Sequence, residues 1–182
     1  MKKLLALILA VLLMLSYSGL CEMKEAPTVY DWTQIAPYAE QIDPDGKMMI
    51  YEDYDLLFWV PSALTQTEIT QEQSEAGWLD CYVSEADPEY YIVVLFNFQG
   101  EGLETVEDLL GAIEGQYDDY TYANINGFNA LMLMMNNNTT MTVVISAGDG
   151  YFLQIIYNHV DDEANMNLSG LSLASIQHAP EN

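Results

Sequence analysis

The side chains with which this 182-residue chain could do chemistry are few in kind. It holds two histidines, His159 and His178, and two cysteines, Cys21 and Cys81, against 28 Asp and Glu. A Ser-His-Asp set would have to use His159, yet neither Ser146 nor Ser169 lies in a nucleophile-elbow sequence. His159 is therefore expected at a strand end, facing water. Structural zinc needs several Cys or His ligands at short spacing, and no C-x-x-C pair occurs. Calcium asks only for oxygens. Asp43-x-Asp45-Gly46 opens like a calcium loop, but its glycine falls two residues early for an EF-hand and no ligand register follows. Glu52-Asp53-Tyr54-Asp55, Asp118-Asp119 and Asp161-Asp162-Glu163 are further acid clusters, and turns or helix caps account for each. Paired carboxylates can hydrolyse glycosides, but the separation that matters is spatial and nothing in the sequence singles out a pair. Gly100-Glu101-Gly102 carries acid where a phosphate would need donors. No catalytic residue, no cofactor-binding residue, no cofactor and no metal ligand emerges from this inventory.

Charge excludes more than it proves. Lys2 and Lys3 belong to the leader, so the chain beyond Cys21 has two lysines, no arginine and 28 acids, a formal charge of −26 against −24 for the whole. Nucleic acid draws its affinity from Lys and Arg neutralising phosphates and is not a partner here. Anionic lipid and phosphorylated ligands are set aside on the same ground. Thirteen Tyr, five Phe and three Trp argue against a disordered acidic chain.

The amino terminus reads as a secretory signal peptide. Met1-Lys2-Lys3 is basic, Leu4 to Leu15 is apolar without a break, and Ser16-Tyr17-Ser18-Gly19 supplies small residues for cleavage. Twelve residues of helix span about 18 Å, short of a ~30 Å hydrocarbon core. Cys21 stands where a bacterial lipoprotein carries its lipid, although Leu20 departs from the small residue that the lipobox places before the cysteine. Cys21 is thus a possible lipidation site, with plain secretion and an uncleaved leader as the alternatives. Membrane contact arises only through such an anchor, and the location is secreted or cell-surface. Cys81 reads as a small buried hydrophobe in a strand, a disulfide with Cys21 being the alternative.

The positioning elements follow from periodicity and turn chemistry. Asp31 caps a short or irregular helix interrupted by Pro37, and Asp43-Pro44-Asp45-Gly46 turns the chain, with Gly46 at positive φ. Lys47–Glu52 and Leu56–Val60 form a hairpin, and Ala63–Ala76 reads as loop with at most a helical turn. Trp78–Ser84 and Tyr90–Phe98 pair next, and Thr105 caps a helix with Val106, Leu109, Leu110 and Ile113 on one face. Asn126-Gly127 joins Tyr120–Ile125 to Phe128–Met135 by the strongest short hairpin signal. Thr139–Ser146 and Tyr151–Tyr157 follow, and Asp161 or Asp162 caps a final helix with Ala164, Leu168, Leu171 and Ser175 on its buried face. Tyr90–Phe96 and Leu131–Met135 do not alternate, so both sheet faces want cover. Met132, Met134 and Met135 read as core filler. Trp32, Trp59 and Trp78 with Tyr51, Tyr54, Tyr90 and Tyr91 are core aromatics, or line a groove for a glycan or peptide. The predicted class is α+β, an antiparallel sheet of about seven or eight strands flanked by helices on both faces in α/β/α layering.

This order of elements resembles the PsbP-like domain. The matching features are the hairpin closing on Phe58-Trp59-Val60-Pro61-Ser62, the strand ending at Phe98-Gln99-Gly100, and the helix from Thr105. The Ile125-Asn126-Gly127 turn, the long strands after it and the ending Leu173-Ala174-Ser175-Ile176 complete the match. The resemblance spans roughly residues 46–177 and implies a domain of the kind found in exported proteins of Gram-positive bacteria, non-catalytic and engaged in protein contacts. All its matching features are structural, so no site residue carries over. The expected layout is a signal peptide over 1–21, a tether and short helix over 22–45, and a single PsbP-like domain over 46–178. The expected function is an exported, non-catalytic domain binding another extracytoplasmic protein or envelope component. A calcium-dependent acidic surface protein and a carboxylate-based hydrolase are the alternatives.

Overall fold

A computed structural model describes residues 27–180, so the leader and Cys21 lie outside the described residues. The chain runs β1 (Thr28–Tyr30), α1 (Trp32–Ile42), β2 (Lys47–Tyr51), a 3-10 turn (Glu52–Tyr54), β3 (Leu56–Val60), β4 (Leu64–Gln66), α2 (Gln71–Glu75) and β5 (Trp78–Ser84). It continues through β6 (Tyr91–Phe98), α3 (Val106–Ala112), β7 (Asp119–Ile125), β8 (Phe128–Met135), β9 (Thr140–Gly148), β10 (Tyr151–Asn158) and α4 (Glu163–Ala174). Eight strands form one mixed sheet in the order β1-β7-β8-β9-β10-β6-β5-β4, antiparallel except where β1 runs parallel to β7. The fold is α+β, with helices on both faces.

The strand number meets the expectation, but the membership differs. The β2–β3 hairpin is a sheet of its own, and β1 and β4 take its places at the two edges. Thr28–Tyr30, within the tether and short helix expected over 22–45, pairs with Ala123–Ile125, so the sheet begins ahead of Gly46. Leu64 is buried and starts β4 inside the segment read as loop, and Thr70 with Gln73 forms a capping box for α2. Three-residue strands bury too little to leave a periodic signal.

The two sheet faces carry separate cores. Ile92, Val94, Ile125, Met132, Val143 and Ile155 face an inner layer built from the hairpin (Leu56, Phe58) and α4 (Leu173, Ala174). Leu131, Leu133, Val144 and Phe152 face α3 through Val106 and Leu109. α1 forms an outer layer on the inner side, packing Ala39 against Trp59 and Leu171. Pro37 does not break α1, which runs eleven residues through it. Pro37 and Thr33 are both exposed, so water replaces the backbone bond that the proline removes, while Trp32, Ile35 and Ala39 keep the helix docked.

The inner layer is held together by serines. Trp59 N–H donates to Ser175 Oγ at 2.6 Å, and Ser172 Oγ donates to the Trp59 carbonyl at 2.7 Å. Leu57 and Gln177 exchange two backbone bonds of 2.9 Å. The free edge of β3 thus finds its partners on the end of α4 and just beyond it. The buried face of α4 is consequently Asn165, Ser169, Leu171, Ser172 and Leu173, and Ala164, expected there, is exposed. Gly46 is not at positive φ; a Cβ there would run into the Trp59 indole, so the glycine provides room.

Candidate functional site

At one end of the sheet the inner face is covered only by the turn of the hairpin, with Ile145 and Leu153 buried and Phe96 and Phe128 half-buried. Side-chain alternation brings Phe128 of β8, Ile145 of β9, Leu153 of β10 and Phe96 of β6 to the same side there, with Leu153 directly opposite Phe96. The 3-10 turn at the tip of the hairpin hangs over them. Together they enclose a recess of about 540 Å³ whose floor is apolar and whose acids, Glu52, Asp53 and Asp55, all come from that turn.

Aromatic rings continue the floor outward. Tyr54 leans on Phe96 at 4.9 Å, Phe96 stacks on Tyr151 at 5.4 Å, and Tyr151 meets Phe98 at 5.3 Å. Phe98 and Tyr151 remain 49% and 42% exposed, which is costly for large rings unless something covers them. Gly150 makes the ladder possible: at φ +80 a Cβ there would run into the Gly100 carbonyl and come within 2.7 Å of the Phe98 ring, so only glycine fits.

The turn is pinned from behind. Asp55 sits in the left-handed region (φ 49), where its carboxylate faces His178 Nδ1 at 2.6 Å and accepts the Ala179 N–H at 3.0 Å. The His178 ring lies 4.0 Å from Phe128, closing the back of the recess. Glu52 and Asp53 are exposed, and their carboxylates accept no hydrogen bond among the described residues. The turn therefore presents two solvated charges over an apolar floor.

The other acid clusters have structural partners. Asp43 accepts the Ser62 N–H at 2.7 Å and its hydroxyl at 2.6 Å. Asp118 accepts the Asn138 N–H at 3.1 Å, and Asp162 caps α4 through the Ala164 and Asn165 N–H groups. Among the described residues no group of three or more His, Cys, Asp or Glu side chains converges in a way that could hold a metal ion. The three acids of the recess stand on one wall, unlike the opposed carboxylates of glycoside hydrolysis.

Two polar clusters lie elsewhere. Asp80, buried on β5, accepts the Tyr82 hydroxyl at 2.7 Å, the Tyr51 hydroxyl at 3.0 Å, the Gln66 amide at 2.8 Å and its neighbour's N–H at 3.2 Å. Burial first, then the neighbouring hydroxyl and carboxylate, hold the Tyr51 hydroxyl protonated far above its ordinary range. His159, expected to face water, does lie partly exposed, but at φ 57 its Nδ1 faces Asp87 at 2.7 Å. The hydrogen bond to Asp87 raises the imidazole pKa, and Asn165 followed by His159 lowers that of Asp87. Neither histidine has a serine or cysteine partner among the described residues.

Of the aromatics singled out from the sequence, Trp59 and Tyr90 are buried, and Trp78 and Tyr91 pack on the outer face around Cys81. Cys81 is buried and has no disulfide partner among the described residues. Only Tyr54 joins the recess; Phe96, Phe98, Phe128 and Tyr151 were not singled out. A usable signal existed: Phe98, Phe128 and Tyr151 stand at strand ends close to Gly100, Gly127 and Gly150, where core residues are not needed.

No family model matches the chain, and no curated protein matches it. Among solved structures it is similar to cyanobacterial PsbP from Synechocystis, at 9% identity over 88% of this chain and 98% of that one, with a TM-score of 0.49. It is also similar to a protein of Bacteroides thetaiotaomicron, at 13% identity over 75% of this chain, with a TM-score of 0.47; the match spans about half of that protein, 49%. These are likenesses of chain path and say nothing of activity or partner.

Proposed function

We propose that this chain is an exported, non-catalytic domain that binds another extracytoplasmic protein or envelope component, and that the recess beneath Glu52–Tyr54 is where it does so. The observation that carries the reading is the ladder Tyr54–Phe96–Tyr151–Phe98, which leaves its two outer rings half exposed beside an open apolar floor. Large exposed rings grouped at a recess are the usual core of a binding patch. Export is supported by the leader, and no helix among the described residues is long and apolar enough to cross a membrane. Lipidation at Cys21 would hold the domain at the surface, and the intact mass of the native protein reads it directly. A non-catalytic role is supported by the one-sided placement of the recess acids and by histidines occupied with Asp55 and Asp87.

The test is photo-crosslinking in the native host, with a benzophenone side chain at Phe98 or Tyr151 and, as control, at Tyr120, which is 43% exposed. Tyr120 is flanked by Tyr117 and Tyr122, so it too lies in an aromatic setting. A discrete adduct from the first two positions and none from Tyr120 is expected. Equal labelling from all three positions rules the recess out.

A further inference from the structure

We propose that the occupant of this recess is an extended polypeptide segment carrying alternating basic and apolar residues, whose Lys or Arg heads lie against Glu52 and Asp53 while its apolar groups lie on the Phe96–Tyr151–Phe98 rings. The inference rests on the binding role proposed above and names the chemistry of the partner. Three features of the site select it. The first is the pairing of charge and apolarity. Glu52 and Asp53 are exposed carboxylates without hydrogen-bond donors among the described residues, and they stand over Phe96, Phe128, Ile145 and Leu153. A long side chain with an apolar stem and a cationic head satisfies both at once. The second is the aromatic surface beyond the recess: the faces of Tyr151 and Phe98 attract a cation through the ring quadrupole as well as apolar groups by contact. The third is extent. The recess, about 540 Å³, falls in the ~300–1,000 Å³ range of ligand sites, and the ladder carries apolar surface past it, more than one small cation would cover.

The field of the whole chain acts in the same direction. A formal charge of −24 repels acidic chains and draws basic ones, an attraction that weakens as salt screens it. That general attraction is also the confounding effect, and the experiment has to separate it from the site.

The probe is acetyl-Lys-Leu-Lys-Leu-Lys amide, titrated into the isotope-labelled exported chain at near-physiological salt, with amide shifts and the dissociation constant as readouts. Shifts concentrated at residues 52–55, Phe96, Phe128 and Tyr151 are expected. The E52Q/D53N chain should bind about tenfold more weakly or worse, two close charge pairs having been removed. E107Q/E114Q removes the same charge from exposed positions at the other face, near α3, and should stay within about twofold. Both double variants alter exposed side chains, and matching thermal midpoints confirm that the fold is retained. Equal weakening by the two variants would show diffuse attraction and overturn the proposal. A Gln-for-Lys peptide binding the same residues equally well would overturn the cationic partner while leaving the binding role of the recess intact. Spermidine binding as tightly as the peptide would replace the polypeptide with a small polyamine, and so overturn it too. Shifts confined to other surfaces, with every peptide, would remove both this proposal and the binding role it rests on.

Discussion

The Tyr51 hydroxyl, on the hairpin, meets the carboxylate of Asp80, on the main sheet, at 3.0 Å. Few side-chain hydrogen bonds among the described residues join the two sheets, and this one ends on a carboxylate that is 7% exposed with no cation beside it among those residues. Donors from Gln66, Tyr82 and the Cys81 N–H take the place of a counter-charge. Asp80→Ala leaves the buried Tyr82 hydroxyl and the half-buried Tyr51 hydroxyl without their acceptor and should cost about 2 kcal/mol, whereas Tyr51→Phe removes its bond at about 1 kcal/mol. Urea unfolding midpoints check both; a loss under about 0.5 kcal/mol for Asp80→Ala would mean that water already fills the cluster.

Buried tyrosines make the fold sensitive to alkali. Desolvation raises Tyr30 and Tyr90 from 10.0 to about 12, and Tyr51, Tyr82 and Tyr157 rise further. In the unfolded chain these hydroxyls ionise near 10, so above that pH the unfolded state binds fewer protons and the folded state loses its advantage. The tyrosine contribution to stability should be flat through neutral pH and fall steeply between about 10 and 12, most steeply where several groups lose protons together. Thermal midpoints across that range measure it, and Tyr90→Phe should flatten the fall.

The His159–Asp87 contact shifts both of its titrating groups. Its imidazole pKa is raised above 6.5, chiefly by the Asp87 hydrogen bond, and the Asp87 pKa is lowered below 3.8, chiefly by Asn165. The ion pair is therefore complete between those values, and is lost as pH rises through the imidazole pKa or falls through that of the carboxylate. An NMR titration should place the His159 midpoint above 6.5, and Asp87→Asn should bring it down. An unmoved midpoint would assign the shift to Asp161 and Glu89 instead.

Asn136, Asn137 and Asn138 lie consecutively at φ 56, 59 and 63. Asparagine tolerates the left-handed region better than most residues, but three in a row hold the β8–β9 turn at a cost. Asn137 is exposed, so its replacement reports backbone preference alone. Asn137→Ala should destabilise by about 1 kcal/mol and Asn137→Gly should be neutral or stabilising. Similar midpoints for both would show that the turn has another conformation in solution.

What could be read from the sequence was local. The Asn126-Gly127 turn and the Thr105 cap depend on residues within a few positions of one another and stand as expected, and of Asp161 and Asp162 it is Asp162 that caps the last helix. The role of Asn126 beyond its turn was not legible: its amide donates to the carbonyls of Ala174 and Ile176 and its oxygen accepts the Trp32 N–H. The same holds for Ser172 and Ser175, polar by type yet fully buried, since their partner lies 113 and 116 residues earlier. A helix read by hydrophobicity alone was rotated toward Ala164 for that reason. The recess was missed likewise. Its acids looked like an ordinary turn, and its apolar floor comes from four strands that only the strand order assembles.

The serine seam between β3 and α4 also orders events in time. A hairpin made early in synthesis keeps an open edge until residues 172–177 arrive, because Trp59 and Leu57 bond to nothing nearer. The late helix therefore acts as a latch on an early segment, and closing so long a loop is slow. On the export proposed above, the inner layer stays open until residues 172–177 have crossed, and the hairpin edge is the last part of that layer to be covered.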